Sequence, residues 1–159
     1  GSRTVAALLA TPSNPTGTLI ATDELSAMAQ FVAQRGGALI VDEIYHGLVY
    51  DVATQTALAL RDDVFVINSF SKYFSMTGWR LGWMVIPEPY LRDVEKLAQN
   101  LVLCPSVPAQ HGALAAFAEL GLGSGDVGID VGEPHRQIRA RCRCRQQLRA
   151  QLGRRVVED

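Results

Sequence analysis

Three short apolar runs, each followed by a polar cluster, constrain the fold of this chain more than any other feature. The apolar runs cover residues 4–10, 38–41 and 64–67. The polar clusters that follow them cover residues 11–17, 42–45 and 68–72. Runs that are apolar throughout are typical of strands buried in a parallel sheet. Because ligands of such sheets bind beyond the carboxyl ends of the strands, the clusters predict one site at one edge.

Helical spacing separates the first two runs. Thr22 is placed to cap a helix that carries Asp23 and Glu24 in its first turn and stops at Gly36-Gly37. Its apolar positions keep a helical period and are Leu25, Met28, Ala29 and Val32. The alternation of strand and helix predicts an α/β fold of three layers, α/β/α, in which helices cover both faces of a mainly parallel sheet.

The same pattern continues to about residue 120. A fourth strand is predicted over residues 80–86, a helix from Pro87 or Pro89 to about Leu103, and a last helix from Val107 to Leu120. The composition then changes. Residues 1–125 hold 7 basic and 11 acidic side chains, whereas residues 126–159 hold 8 arginines and 5 acidic side chains.

Composition excludes several classes of protein. With 159 residues, 48% of them hydrophobic, the chain can bury the core of one domain, and it contains no apolar stretch long enough to cross a membrane. A net charge of −1 argues against binding to nucleic acid. Its 3 cysteines lack metal-ligand spacing, so neither a disulfide framework nor a metal site is predicted. No secretory signal is recognisable, and we expect a cytoplasmic protein.

The segment after the third apolar run carries a candidate catalytic lysine. Lys72 follows Ser69 and Ser71, and only one other lysine, Lys96, occurs among the 15 basic residues. A partly desolvated lysine beside a second cation, such as Arg80, can be a neutral amine suited to Schiff-base chemistry. The guanidinium of Arg80 also suits a phosphate group. A surface lysine between turn-forming serines explains this segment equally well.

Two further motifs follow the other apolar runs. Asp42-Glu43-Ile44-Tyr45 offers a carboxylate that can pair with a cationic ring nitrogen and a phenol that can bind a ring oxygen. Asn14-Pro15-Thr16-Gly17 is, on its own, an ordinary proline turn. His46, directly after the second motif, either lines the cleft or, more commonly for such a position, has a structural role. Each motif is a weak signal when taken alone.

Together the motifs resemble those of a known family. In chain order, N-P-T-G, D-E-I-Y and S-F-S-K followed seven residues later by arginine resemble the fold-type I aminotransferases that use pyridoxal 5′-phosphate. The resemblance covers residues 4–120 and implies an enzyme that transfers an amino group between an α-amino acid and a 2-oxo acid. It implies that Lys72 forms the Schiff base and moves a proton at the substrate α-carbon. Asp42 would bind the pyridine nitrogen, and Tyr45 would bind the ring oxygen.

The resemblance also implies how the rest of the cofactor is held. Asn14 would contact the ring oxygen and help to place the substrate carboxylate. The phosphate would be bound by Ser69, Ser71 and Arg80, near a tightly packed G-W-R-x-G-W stretch at residues 78–83. No metal is implied. Intact members of the family are homodimers whose active site lies at the subunit interface, so a homodimer is expected.

Members of this family are longer than this chain at both ends. The phosphate-binding loop, the aromatic residue that stacks on the ring and the arginine that binds the substrate carboxylate have no recognisable counterpart here. We therefore interpret residues 1–120 as an incomplete cofactor-binding large domain. Residues 121–159 are interpreted as a Gly/Arg-rich tail that is disordered or results from truncation or a shifted reading frame. The chain alone is expected to be inactive.

Other functions remain open from the sequence. A lyase or decarboxylase on the same scaffold would use the same lysine, aspartate and tyrosine, because substrate orientation selects the reaction. A non-catalytic regulatory module is a further alternative, since this fold also occurs fused to DNA-binding domains. The amino donor is not readable from these residues.

Overall fold

A four-stranded sheet forms the centre of the computed structural model, which describes residues 3–119, 127–128 and 139–140. Its strands are β1 (Ala6–Ala10), β2 (Ala38–Asp42), β3 (Val64–Ser69) and β4 (Gly82–Val85), in that order across the sheet. The first three strands are parallel, and β4 runs antiparallel to β3. The predicted α/β class with a mainly parallel sheet is confirmed. Two short strands, β5 (Val127–Gly128) and β6 (Arg139–Ala140), pair with each other.

In the part of the chain that the structure describes, three α-helices accompany the sheet: α1 (Thr22–Ala33), α2 (Leu91–Leu101) and α3 (Val107–Glu119). The helix α1 packs one face of the sheet, where Leu25 and Ala29 contact a core that includes Val41 and Val66. The helix α3 packs Phe117 and its neighbours against the segment that follows β3, around Phe70. Within the described residues no helix combines the length and the apolar character that crossing a bilayer requires.

The second face of the sheet is only partly covered in the described residues. Side chains alternate along a strand, so the strand register places one apolar set on this face. The set is Leu8, Ile40, Phe65, Ile67 and Met84, and we call it the open face. Leu8 is 67% exposed, and Phe65 contacts the ring of Tyr90 at 5.2 Å between centroids. The three-layer architecture is therefore incomplete here, as the family resemblance implies.

Three predicted boundaries differ from the structure. The residue that caps α1 is Ala21, which has no side-chain acceptor, and Thr22 is already inside the helix. The fourth strand begins at Gly82 rather than residue 80, because Arg80 has a left-handed backbone conformation with φ of 55°. The helix α2 ends at Leu101, since Leu103 also has a positive φ. The prediction for residues 121–159 lies outside the described residues, apart from β5 and β6.

Candidate active site

Backbone hydrogen bonds hold the three polar clusters side by side at one edge of the sheet. The N–H of Thr11 donates to the carbonyl of Asp42 at 3.0 Å, and the N–H of Glu43 donates to the carbonyl of Ile67 at 2.9 Å. These bonds continue the parallel pairing one residue beyond the strands. The motifs that are distant in sequence consequently meet at the carboxyl ends of β1, β2 and β3.

Tyr45 is the point at which the three motifs converge. The amide Nδ2 of Asn14 donates to the hydroxyl oxygen of Tyr45 at 3.3 Å. On the same tyrosine, the Nζ atom of Lys72 lies 5.5 Å from the ring centroid. Because the phenol oxygen accepts from Asn14, its own proton is available for a ligand. The structure thus brings together Asn14, Tyr45 and Lys72, one residue from each predicted motif.

Asp42 closes β2 with a carboxylate that is fixed in one orientation. Its Oδ1 atom accepts a hydrogen bond from the backbone N–H of Ile44 at 3.0 Å, and the residue is half-buried. The other carboxylate oxygen has no hydrogen-bond partner among residues 3–119. That oxygen can accept from a protonated nitrogen of a ligand without breaking an existing contact.

The predicted phosphate-binding residues are joined by a chain of hydrogen bonds. The hydroxyl oxygens of Ser69 and Ser71 lie 2.9 Å apart, and the Ser69 hydroxyl also donates to the carbonyl of Leu81. Thr77 donates its hydroxyl to the carbonyl of Ser71 at 2.6 Å, and Nη1 of Arg80 donates to the carbonyl of Thr77 at 2.9 Å. Arg80 is exposed and forms no ion pair with a described carboxylate, so its charge is available to an anion.

Two expectations about this site are not met. A partly desolvated Lys72 is expected, but the residue is exposed in the loop beyond β3, with its Nζ atom 5.5 Å from the centroid of the Tyr45 ring. Tight packing was expected at both glycines of the G-W-R-x-G-W stretch. A Cβ atom at Gly82 would lie 2.7 Å from the carbonyl oxygen of Asn68, but at Gly78 it would meet nothing within 4 Å.

A buried carboxylate behind the site has no signal in the sequence. Glu43 is fully buried, and its Oε1 atom accepts from the hydroxyl of Thr56 at 3.0 Å and from the N–H of Ala57 at 2.7 Å. Beside it, burial lowers the pKa of His46 to about 4. The sequence does not indicate this network because Thr56 lies 13 residues along the chain from Glu43, in a loop without periodicity.

Comparison with known proteins places these features in context. The family model described as aminotransferase class I and II matches residues 2–154. The valine–pyruvate aminotransferase of Mycobacterium tuberculosis is 47% identical over 112 residues, which are 69% of this chain and 29% of that protein. The aspartate aminotransferase of Sulfurisphaera tokodaii is 39% identical over 113 residues, 69% of this chain and 28% of that protein.

The solved structures give the same result. The crystal structure of an aminotransferase from Mycobacterium tuberculosis is 45% identical and superposes with a TM-score of 0.66. The match covers 70% of this chain and 31% of that one. This chain therefore spans less than a third of the length of each of these relatives.

Proposed function

This chain belongs to the class I and II aminotransferase family, and we propose on that basis that it is part of an enzyme that transfers an amino group from an α-amino acid to a 2-oxo acid. Members of this family use pyridoxal phosphate. The observation that carries the proposal is the convergence on Tyr45 of Asn14, at 3.3 Å from its hydroxyl, and Lys72, at 5.5 Å from its ring. A ring-shaped ligand at this edge would meet an amide, a phenol and an amine.

The polar groups present fit this cofactor. Asp42 has a carboxylate oxygen without a described partner, and Lys72 has an amine without a described hydrogen bond. The guanidinium of Arg80 donates to the Thr77 carbonyl and forms no ion pair with a described carboxylate. When bound, pyridoxal phosphate supplies a cationic ring that withdraws electrons from the carbon bearing the amino group. A carboxylate, an amine and a guanidinium are the complements of a protonated ring nitrogen, an aldehyde and a phosphate.

Each residue then has a defined task. Asp42 keeps the ring nitrogen protonated, while the hydroxyl of Tyr45 and the amide of Asn14 donate to the ring oxygen. The hydroxyls of Ser69 and Ser71 and the guanidinium of Arg80 bind the phosphate. Lys72 binds the cofactor through Nζ and afterwards moves a proton at the substrate α-carbon.

The substrate and the assembly are part of the proposal. The relative from Mycobacterium tuberculosis is named for valine and pyruvate, so these are the first donor and acceptor to test. We extend the proposal to a cytoplasmic homodimer of the complete enzyme. The 159-residue chain matches less than a third of the length of its relatives, and we expect little or no transaminase turnover from this chain alone.

The proposal is tested by locating the cofactor on the protein. The chain is mixed with pyridoxal phosphate, reduced with borohydride and digested, and mass spectrometry identifies the modified lysine. We expect modification at Lys72 and its loss in Lys72→Ala. The chain provides a matched control in its other lysine, Lys96, an exposed residue whose Nζ lies 3.2 Å from Asp93.

Modification must therefore survive the substitution Lys96→Ala. Equal modification of both lysines, or none at Lys72, would contradict the proposed role of Lys72. The same sample, supplied with valine and pyruvate, is expected to form little or no alanine, and rapid alanine formation would contradict the expected inactivity of this chain alone.

A further inference from the structure

The geometry points to Glu43 as a positioning residue: with His46, it fixes the turn that carries Asp42 and Tyr45 against the loop that carries Asn14. The inference rests on the proposed function, because the side chains that Glu43 positions are the ones that we assign to binding the cofactor ring. The contacts themselves are made between residues of this chain and can be tested without a cofactor.

Glu43 joins the turn after β2 to a distant segment. Its carboxylate is fully buried and accepts hydrogen bonds from the Thr56 hydroxyl at 3.0 Å and the Ala57 N–H at 2.7 Å. Burying a carboxylate carries a large desolvation cost, which its hydrogen bonds offset. An apolar side chain of similar volume would avoid that cost. The carboxylate is therefore explained better by the segments that it joins than by stability alone.

His46 continues the network toward the first loop. Its Nδ1 atom lies 3.4 Å from Oε2 of Glu43, and its side chain is only 11% exposed. The backbone of Thr11, the residue whose N–H donates to the carbonyl of Asp42, also interacts with the imidazole and partly opposes the lowering of its pKa by burial. Glu43 and His46 consequently connect three parts of the chain: the loop that begins at Thr11, the turn that begins at Asp42 and the loop that contains Thr56.

The buried residues and the site residues are neighbours in sequence. Glu43 directly follows Asp42, and His46 directly follows Tyr45. We therefore expect movement of Glu43 or of His46 to displace the site residue that precedes it in the chain. Two contacts report such movement: the Ile44 N–H bound to Asp42 Oδ1 and the Asn14 amide bound to the Tyr45 hydroxyl.

The test uses two substitutions of Glu43 in the full 159-residue chain. Glu43→Met has a similar volume but makes no hydrogen bonds, whereas Glu43→Gln keeps a carbonyl oxygen for Thr56 and Ala57. Nuclear magnetic resonance of the ligand-free chain measures the backbone amide of Ile44 and the side-chain amide of Asn14. We expect both signals to shift in the Met variant and to remain near their wild-type positions in the Gln variant.

The affinity for pyridoxal phosphate provides the second measurement. We expect Glu43→Met to lower this affinity roughly tenfold, as happens in other proteins when a residue that orients a metal-ligating side chain is replaced. Glu43→Gln should restore an affinity close to that of the wild type. In a Tyr45→Phe background, Glu43→Met should lower the affinity for pyridoxal phosphate by a smaller factor, because the hydrogen bond between Asn14 and the Tyr45 hydroxyl is already absent. Phe117→Leu, in the separate core cluster around Phe70, controls for general destabilisation and should leave both amide signals in place.

The outcomes separate this inference from the proposed function. Unshifted Ile44 and Asn14 signals in Glu43→Met would overturn the positioning role, whether or not the cofactor binds. Equal shifts in the Gln and Met variants would overturn its explanation by hydrogen bonding. If the wild-type chain binds no cofactor but the Met substitution still moves both signals, the proposed function fails and the positioning role stands.

Discussion

At the scale of single residues, the sequence predicted which polar groups meet at the carboxyl edge of the sheet, but not the buried carboxylate behind them. Asn14, Tyr45 and Lys72 could be predicted because each follows an apolar run, and parallel strands end at the same edge. Glu43 could not, because its partner Thr56 belongs to a loop without a pattern. Burial is a property of the tertiary structure, and a glutamate beside an aspartate is ordinarily assigned to the surface.

Gly82 is a residue whose missing side chain determines how closely two strands approach. A Cβ atom there would lie 2.7 Å from the carbonyl oxygen of Asn68, a backbone atom that cannot move without displacing β3. We expect Gly82→Ala to lower the free energy of unfolding by about 1–3 kcal/mol, as for other overpacked sites. Urea denaturation of the 159-residue chain measures the effect.

The matched control for this substitution lies four residues earlier. Gly78 belongs to the same motif, but a Cβ atom there would meet nothing within 4 Å. Gly78→Ala should therefore leave the free energy of unfolding within about 0.5 kcal/mol of the wild type, as for most surface substitutions. Equal losses of unfolding free energy at the two positions would show that close approach of the backbone does not explain the glycines of this motif.

At the scale of elements, apolar periodicity predicted the interiors of β1–β4 and α1–α3 but not the residues at their ends. Strand β2 was predicted over residues 38–41 and occupies Ala38–Asp42. The start of β4 was misplaced because the turn before it places Arg80 in a left-handed conformation that neighbouring hydropathy does not reveal. Ends depend on backbone dihedral angles and hydrogen bonds, which a pattern of apolar residues specifies only indirectly.

The beginning of α1 gives a direct test of such an end. Its capping residue, Ala21, has an extended backbone conformation but no side-chain oxygen to accept from the first turn. We expect Ala21→Ser to raise the free energy of unfolding by about 1 kcal/mol, because the serine hydroxyl oxygen can accept a hydrogen bond from a backbone N–H in the first turn of α1. Thermal or urea denaturation measures the gain.

Thr22 provides the comparison, since the sequence alone favoured it as the cap. It lies inside the helix and makes no capping hydrogen bond, so Thr22→Ala should not lower stability. A loss of about 1 kcal/mol in Thr22→Ala, with no gain in Ala21→Ser, would mean that Thr22 is the cap and that the helix begins at Asp23.

At the scale of the whole molecule, the fold class follows from the sequence, but the completeness of its layers does not. Three apolar runs suffice to predict a parallel sheet, and helix α1 covers one face as expected. The same runs predict a cover for the other face, because their residues are apolar on both sides. Which segment provides that cover is set by the chain topology. The relatives are more than twice as long as this chain, and they contain segments that have no match in it.

The open face predicts how the isolated chain behaves in solution. Leu8 is 67% exposed and Met84 is 44% exposed, at opposite sides of an apolar row that crosses all four strands. Apolar surface of this kind favours self-association, and β1 also presents an unpaired strand edge in the described structure. We expect sedimentation velocity to show association that increases with protein concentration.

Two substitutions test whether the open face causes this association. Leu8→Lys should reduce the association by placing a charge on the open face. Gln34→Lys adds the same charge at the end of α1 and should not reduce it. Equal reduction by both substitutions would assign the association to net charge rather than to the open face.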